Sequence, residues 1–515
     1  MPPNLTLKTK QKIMADQSLF EMNPNPLVQY LNKPQKDFTK ADLIKYVEEN
    51  HIQMLNFRYV GEDNRLKTLN FVINNKQHLD TLLSSGERVD GSSLFSYVEA
   101  GASDLYVMPR FRTAFLNPFS EIPTLDILCS YFNKDGDPLP SSPEYILHKA
   151  HNALKMHTGY SFETMGELEY YAISEKENLF PATDQKAYHE STPFTKWEQF
   201  RTEAMLEIAR VGGNIKYGHT EVGSFSIDNL EFEQNEIEFL PVNVEDSADQ
   251  LIISKWIIRT LAYKYGINIT FAPKITVGKA GSGMHIHTRL MKDNRNAMVD
   301  CGSISQTAKK VIAGYLSLAP SLTAFGNTNP TSYLRLVPHQ EAPTNICWGD
   351  RNRSVLVRVP LGWCGNNDMI VKANPLELVP KDDFSDKQTV EFRCPDGSAD
   401  IYLLLAGLTV AARHGLEMEN ALDFAKQTYV DVNIFHDEHK EKLKDLQTLP
   451  ASCWDSALKL EEQAEIYKKY DVFSQNIIDG IVKNLKKFDD RNLREKLNDN
   501  DDEVMKLVQR FFHCG

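Results

Sequence analysis

Four short stretches set acids, histidines and an arginine at every second residue: Glu167-Leu168-Glu169, Glu236-Ile237-Glu238, His285-Ile286-His287 and Glu391-Phe392-Arg393. Alternate side chains of a β-strand leave on one face, so each stretch presents two polar groups together while the residue between them packs behind. A single pair of this kind equally fits a half-buried strand with a solvated face. Four in one chain, several beside Gly or Pro, imply strands curved around a charged interior. Carboxylates gathered there repel one another unless divalent cations sit among them. Oxygen-rich donor sets suit Mg²⁺ or Mn²⁺, and multi-metal carboxylate sites favour phosphate chemistry.

The elements that must carry these strands are legible around them. Thr39-Lys40-Ala41-Asp42 opens a short amphipathic helix with Leu43, Ile44 and Val47 as its stripe. Strand-like runs follow at Gln53–Tyr59 and Leu69–Ile73, then the turn-rich Val89-Asp90-Gly91-Ser92-Ser93. Ser141-Ser142-Pro143-Glu144 starts a helix with a cap, a first-turn proline and an early acid. Ala248–Tyr265 has helical apolar spacing and ends at Gly266, and the strand-like Ile267–Ala272 comes next. The expected partition is a polar extension over 1–40, a small α+β domain over 41–133, a large domain over 134–475 and a charged helical tail over 476–515. Asp499–Glu503 reads as a solvated acidic surface.

At 515 residues, two domains plus tails are expected. The net charge of −13 argues against a nucleic-acid partner, which needs a basic stripe. Seven scattered cysteines with no CxxC pair fit reduced thiols rather than a disulfide framework or zinc site. No apolar run approaches the roughly 20 residues of a membrane span. The N-terminal stretch with Lys8, Lys10 and Lys12 lacks a signal-type apolar segment. A soluble, cytoplasmic protein is expected, with no membrane partner.

Read in order, the segments from about 41 to 475 resemble type I glutamine synthetase. The matching motifs are Val-Asp90-Gly-Ser-Ser, Ser-Asp104-Leu-Tyr-Val-Met-Pro, Glu167-Leu-Glu169, Lys274 through Gly281-Ser-Gly-Met-His285-Ile-His287, and Asn327 through Arg335-Leu-Val-Pro. Glu341-Ala-Pro, Asn352-Arg353-Ser with Arg358-Val-Pro, and Glu391-Phe-Arg393-Cys-Pro-Asp complete the set. The resemblance implies an α+β fold: a small β-grasp-like N-terminal domain, and a large catalytic domain whose curved antiparallel sheet holds the metals. It implies ATP-dependent joining of ammonia to L-glutamate, and a homo-oligomer, a dodecamer of two hexameric rings with sites between subunits.

By the same resemblance, Glu169, Glu221 and Glu236 hold the metal nearer glutamate, and Glu167, His285 and Glu391 hold the metal nearer the nucleotide phosphates. Two or three Mg²⁺ or Mn²⁺ ions per site are implied. Arg353, Arg358 and Arg393 neutralise the transferred phosphoryl group. Arg335 and Gly281 receive glutamate, and His287 sits near the phosphates. Asp90 takes the ammonium proton with Asp104 assisting, and Glu341 lies on a closing flap. The chemistry needs such types in any case: phosphoryl transfer is carried by positioning and positive charge, and an acyl phosphate must be shielded from water.

The match departs from the family at four places. An insertion around Gly223–Glu233 lengthens the step from Glu221 to Glu236, and Glu238 aligns with no family ligand. Ala280 stands where many ammonia-using members carry asparagine, which makes a γ-glutamyl-amine ligase the alternative expectation. Thr389 replaces an arginine of the nucleotide side, and Arg289 is expected to supply the missing charge. The tail lacks the loop that carries the regulatory adenylylation tyrosine. A non-catalytic structural member is the third expectation, and its mark would be lost metal ligands.

Overall fold

The computed structural model describes residues 20–96, 103–300, 302–337, 342–362, 368–380, 384–434, 446–497 and 500–515. Contacts divide the chain into two compact units. One comprises Met1–Ser142 with Thr202–Ile215 and Ile252–Tyr265, and the other Pro143–Arg201, Lys216–Leu251 and Gly266–Gly515.

In the first unit Thr39 caps the helix Lys40–Glu49 in a full capping box with Asp42, which satisfies donors the helix end leaves orphaned. Leu43, Ile44, Tyr46 and Val47 are its buried stripe. The preceding stretch is not a bare extension where described. Asn25 caps the helix Pro26–Leu31, whose Leu27 and Val28 enter the same core. The sheet consists of β1 (Met54–Val60), β2 (Leu66–Val72), β3 (Glu87–Asp90), β4 (Asp104–Pro109), β5 (Phe115–Leu116) and β6 (Thr124–Phe132). Its order is β2-β1-β6-β4-β3, with β5 on β6. The β1–β6 pair is parallel and central, so β1 is buried along nearly its whole length, while the edge strand β2 alternates.

The second unit is built on β7 (Ser161–Glu175), β8 (Ile215–Ile227), β9 (Leu230–Phe239), β10 (Val242–Asn243), β11 (Asn268–Thr270) and β12 (Ile286–Lys292). It continues through β13 (Arg295–Asn296), β14 (Val299–Asp300), β15 (Ser303–Ile304), β16 (Trp348–Asp350), β17 (Val357–Val359) and β18 (Val390–Phe392). The main sheet runs β16-β17-β18-β12-β7-β9-β8, antiparallel except for β16–β17. The long β7 changes partners midway. Ser161–Gly166 pair with β12, and Glu167–Glu175 pair with β9. All four alternating stretches lie on or directly beside these strands, as the period of two requires.

Behind the sheet, the helices Pro143–Thr158, Gln306–Gly326 and Ile401–Glu417 form the apolar layer. Gly314 is required where the last two meet, because a Cβ there would lie 2.0 Å from the Ala411 carbonyl oxygen. The helix expected over 248–265 spans Val244–Tyr265, and Gly266 follows at φ +69°, the left-handed value expected of C′. The tail is helical over Gln475–Lys486, Leu493–Leu497 and Asp501–Phe511. Asn500 caps the last of these.

Candidate active site

Strand register does most of the work of assembly. Along β17, β18 and β12, Arg358 faces Glu391 and Glu391 faces His287; on β7 and β9, Glu167 faces Glu238 and Glu169 faces Glu236. Positions two apart on each strand share a face. One face therefore receives Glu167, Glu169, Glu236, Glu238, His287, Glu391 and Arg358.

Glu167 is the hub of the first cluster. Its carboxylate takes His285 Nδ1 at 2.7 Å on one oxygen and His287 Nε2 at 2.7 Å on the other. Burial pushes Glu167 up, yet the two imidazoles outweigh it and hold the acid well below its ordinary range. Burial lowers His285 against the pull of Glu167, while in His287 the pull of Glu167 wins and raises it. Glu391 is buried and flanked by cations: Arg358 donates to it at 2.8 Å and Arg393 Nε at 3.0 Å. Despite burial and the neighbouring Glu167, Arg393 and the imidazoles keep it ionised. Glu167, His285 and Glu391 each offer a donor atom, all within 4.8 Å of one another.

Glu169 faces the Gly-rich segment. It accepts from Gln234 at 2.9 Å and from the Gly283 backbone N–H at 2.8 Å, and Gln234 also donates to the Gly281 carbonyl. Gly283 leaves no room for a side chain: a Cβ would meet Arg335 at 2.6 Å and His285 at 3.0 Å. Arg335 is buried and donates to the Cys394 carbonyl at 2.8 Å.

A second cluster joins His219, Glu236 and Glu238, again within 4.8 Å of one another. The Nδ1–H of His219 donates to the Thr220 carbonyl at 3.0 Å, which leaves the Nε2 lone pair 3.4 Å from a Glu236 oxygen. Two acceptors facing each other need a cation or a proton between them. Glu236 is raised well above the carboxylate range by burial first and then by Glu167, Glu169, Glu221 and Glu238. Glu221, on β8, has an oxygen 3.9 Å from His219. Lone-pair crowding, four repelling acids and imidazole donors are what divalent cations relieve, so this donor set fits them.

Other expected residues fall as follows. The exposed side chain of Arg353 belongs to a residue whose carbonyl accepts from Arg393. Arg289 lies on β12 two residues past His287, but its guanidinium is engaged by Glu163 at 2.6 Å and by the Asp386 carbonyl. Asp90 and Asp104 are opposite one another on β3 and β4 of the first unit, both exposed. Asp90 accepts from the Ser92 and Ser93 hydroxyls, which lower its carboxyl. Glu341 lies outside the described residues.

Sequence reasoning missed several groups. His219 and Tyr217 precede Glu221 at steps of two on β8, and Gln234 precedes Glu236 likewise, so the same period marks them. The Tyr188 ring meets His219 edge-on and the His189 ring lies tilted against it, with centroids at 5.4 and 4.3 Å, and nothing in their spacing announces it. Glu238, which aligns with no family ligand, is buried and held by Lys216 at 2.6 Å and by the Tyr217 hydroxyl. Thr389, at the place of the missing arginine, contacts His287 Nδ1 at 2.8 Å.

A sheet face lined by acids, imidazoles and arginines, in contact with a Gly-rich segment, offers donors for divalent cations and positive charge for phosphate or carboxylate groups. Residues 51–134 match the glutamine synthetase beta-Grasp domain and residues 140–505 the glutamine synthetase catalytic domain. The chain belongs to the glutamine synthetase family, a family of ligases, and has its two-domain α+β fold. It is 29% identical over 441 residues to glutamine synthetase of Clostridium saccharobutylicum, covering 84% of this chain and 91% of that one. Over 479 residues it is 28% identical to glutamine synthetase of a Nostoc species, covering 86% and 94%. Plasmodium falciparum glutamine synthetase has the same fold, with TM-score 0.72 at 19% identity over 89% of this chain and 97% of that one. A GmaS–ADP complex also shares it, with TM-score 0.69 at 18% identity over 87% and 95%. Among the described residues no helix is long and apolar enough to cross a membrane.

Proposed function

We propose that this chain joins ammonia to the γ-carboxylate of L-glutamate at the expense of ATP, giving L-glutamine, ADP and phosphate. The observation that carries the reading is the pair of donor clusters on one sheet face, with Arg358 and Arg393 fixed on Glu391 at its end. Glu167, His285 and Glu391 would hold one divalent cation, and Glu169, Glu221 and Glu236 a second, of which Glu236 also belongs to the His219–Glu236–Glu238 cluster; Mg²⁺ or Mn²⁺ would be the ions, two or three per site. Bound there, the ions offset phosphate charge and bring the acids' proton affinities down.

Arg335 and the backbone at Gly281 hold the amino acid so that its γ-carboxylate oxygen attacks the terminal phosphorus of ATP and ADP leaves. Arg353, Arg358 and Arg393 spread positive charge over the transferred group, where planar guanidinium forks match phosphate oxygens. His287 lies on the nucleotide side with Arg289. Asp90, assisted by Asp104, draws a proton from ammonium; the freed ammonia attacks the acyl carbon of γ-glutamyl phosphate and phosphate departs. Glu341 covers this step and keeps water out. The working form is a cytoplasmic homo-oligomer, a dodecamer in which one protomer's Asp90 and Asp104 complete its neighbour's site.

The test is phosphate release from ATP with glutamate plus ammonium, set against glutamate plus a panel of amines, with amide product quantified. Stoichiometric glutamine with ammonium is expected. Coupling only to a larger amine would replace this function with γ-glutamyl-amine synthesis, and no amide with any acceptor would leave a non-catalytic member.

A further inference from the structure

The C-terminal stretch Asp501–Cys514 packs on residues that adjoin both Arg335 and the Gly-rich segment of the proposed glutamate site. The helix Asp501–Phe511 lays Val504 and Val508, 1% and 2% exposed, on Leu334, the residue before Arg335. Just beyond the helix, Phe512 joins that contact to a second apolar cluster containing Tyr171, Phe225, Ala272 and Ile275, against which Cys514 also packs. The Thr270 hydroxyl donates to the Phe512 carbonyl and pins this turn to β11.

The same cluster carries the Gly-rich segment on its other side. The Tyr171 hydroxyl donates to the Ala280 carbonyl at 2.8 Å, and the Ser282 N–H donates to the Pro273 carbonyl at 3.0 Å. Packing at Gly281 has no slack: a Cβ would meet the Pro273 oxygen at 2.6 Å and Arg335 at 3.0 Å. A shift of Ala272 or Ile275 therefore passes through Pro273 to Gly281, and a shift of Leu334 passes to Arg335.

We propose that Asp501–Cys514 is a positioning element of the glutamate site, bracing the Gly-rich segment and Arg335 together. The proposal rests on the reading of Gly281 and Arg335 as the glutamate-binding groups. An eleven-residue helix is marginal alone, so its helicity depends on this docking. Binding that favours the braced loop must in turn favour the docked tail, because coupling between two sites is reciprocal.

The test uses full-length Val508→Ala, Phe512→Ala and Phe512→Leu. The two alanine variants should raise KM for glutamate about fivefold, with KM for ATP changed less than about twofold and kcat at saturating glutamate retained. Phe512→Leu, which restores apolar volume, should return KM for glutamate toward the parent. In the parent, saturating glutamate should slow alkylation of the half-buried Cys514 by N-ethylmaleimide, read by mass spectrometry of the C-terminal peptide. An unchanged KM for glutamate in Phe512→Ala, or equal rises for both substrates with a lowered melting temperature, would overturn the proposal. So would Cys514 alkylation indifferent to glutamate. Calorimetric binding of glutamate separates the two readings. If the parent and Phe512→Ala bind glutamate equally, only the positioning role is lost, whereas a parent that binds none loses the pocket assignment and this proposal with it.

Discussion

Arg358 stands directly across the β17–β18 ladder from Glu391 and donates to its Oε2 at 2.8 Å. Arg393, two residues along from Glu391, takes the other oxygen at 3.0 Å. One buried carboxylate thus fixes two guanidinium groups before any substrate arrives, which is the preorganisation that phosphoryl transfer rewards.

Glu391→Ala should therefore act twice, removing a cation donor and freeing both arginines. Turnover is expected to fall on the order of a hundred- to a thousand-fold at saturating Mg²⁺, a loss of about 3–4 kcal/mol in transition-state stabilisation. Steady-state kinetics with glutamine quantified would check it. Turnover near that of the parent would remove Glu391 from the machinery.

Gly283→Ala tests the geometry between Glu169, His285 and Arg335. The added methyl would sit 2.6 Å from Arg335 and 3.2 Å from a Glu169 oxygen, so buried groups on both sides must move. Overpacking of this kind costs about 1–3 kcal/mol. KM for glutamate should rise about tenfold or more while the fold survives, as judged by circular dichroism. An unchanged KM would show that the site is looser than its contacts imply.

How much of this was legible in the sequence depends on whether a residue's partner is local. Period-two spacing put Glu167 with Glu169, Glu236 with Glu238, His285 with His287 and Glu391 with Arg393, because alternation is a property of a single strand. The capping box at Thr39 and the Gly266 stop were equally local. What joins strands was not readable: that Glu167 bridges His285 and His287, or that the Tyr188 and His189 rings lie against His219, follows from register and loop path. Glu238 shows the limit. Its face was correct, but its burial beneath Lys216 and Tyr217 comes from β8, a neighbour that spacing along β9 does not identify.

Acid sensitivity should trace in part to Glu245. Burial raises its pKa, yet hydrogen bonds from His148 and His151 outweigh this and depress the acid well below its ordinary range. His151 Nε2 accepts the Phe162 backbone N–H at 3.1 Å, so Nδ1 carries the proton it donates to Glu245 at 2.8 Å. A depressed carboxyl contributes stability that is fully present above its unfolded pKa of about 4.5 and is lost as pH falls through the folded value. Glu245→Gln should then be less stable than the parent at pH 7, with the gap narrowing below about pH 4. Urea midpoints at both pH values measure it, and a gap that widens on acidification would reverse the sign.

Shared sites make the strongest demand on assembly. Asp90 and Asp104 lie on paired strands of the first unit, whereas every donor of the two cation clusters lies in the second. If a protomer lends its aspartates to a neighbour, inactive Asp90→Ala and inactive Glu391→Ala chains, dissociated and reassembled together, form some interfaces with an intact Asp90 facing an intact Glu391. In a random equimolar ring about one interface in four is of that kind, so activity should recover to roughly a quarter of the parent's. Each mutant taken through the same cycle alone should stay inactive. Recovery no greater in the mixture than in the separate controls would place each site within one chain, and the proposed ring arrangement would lose its functional basis.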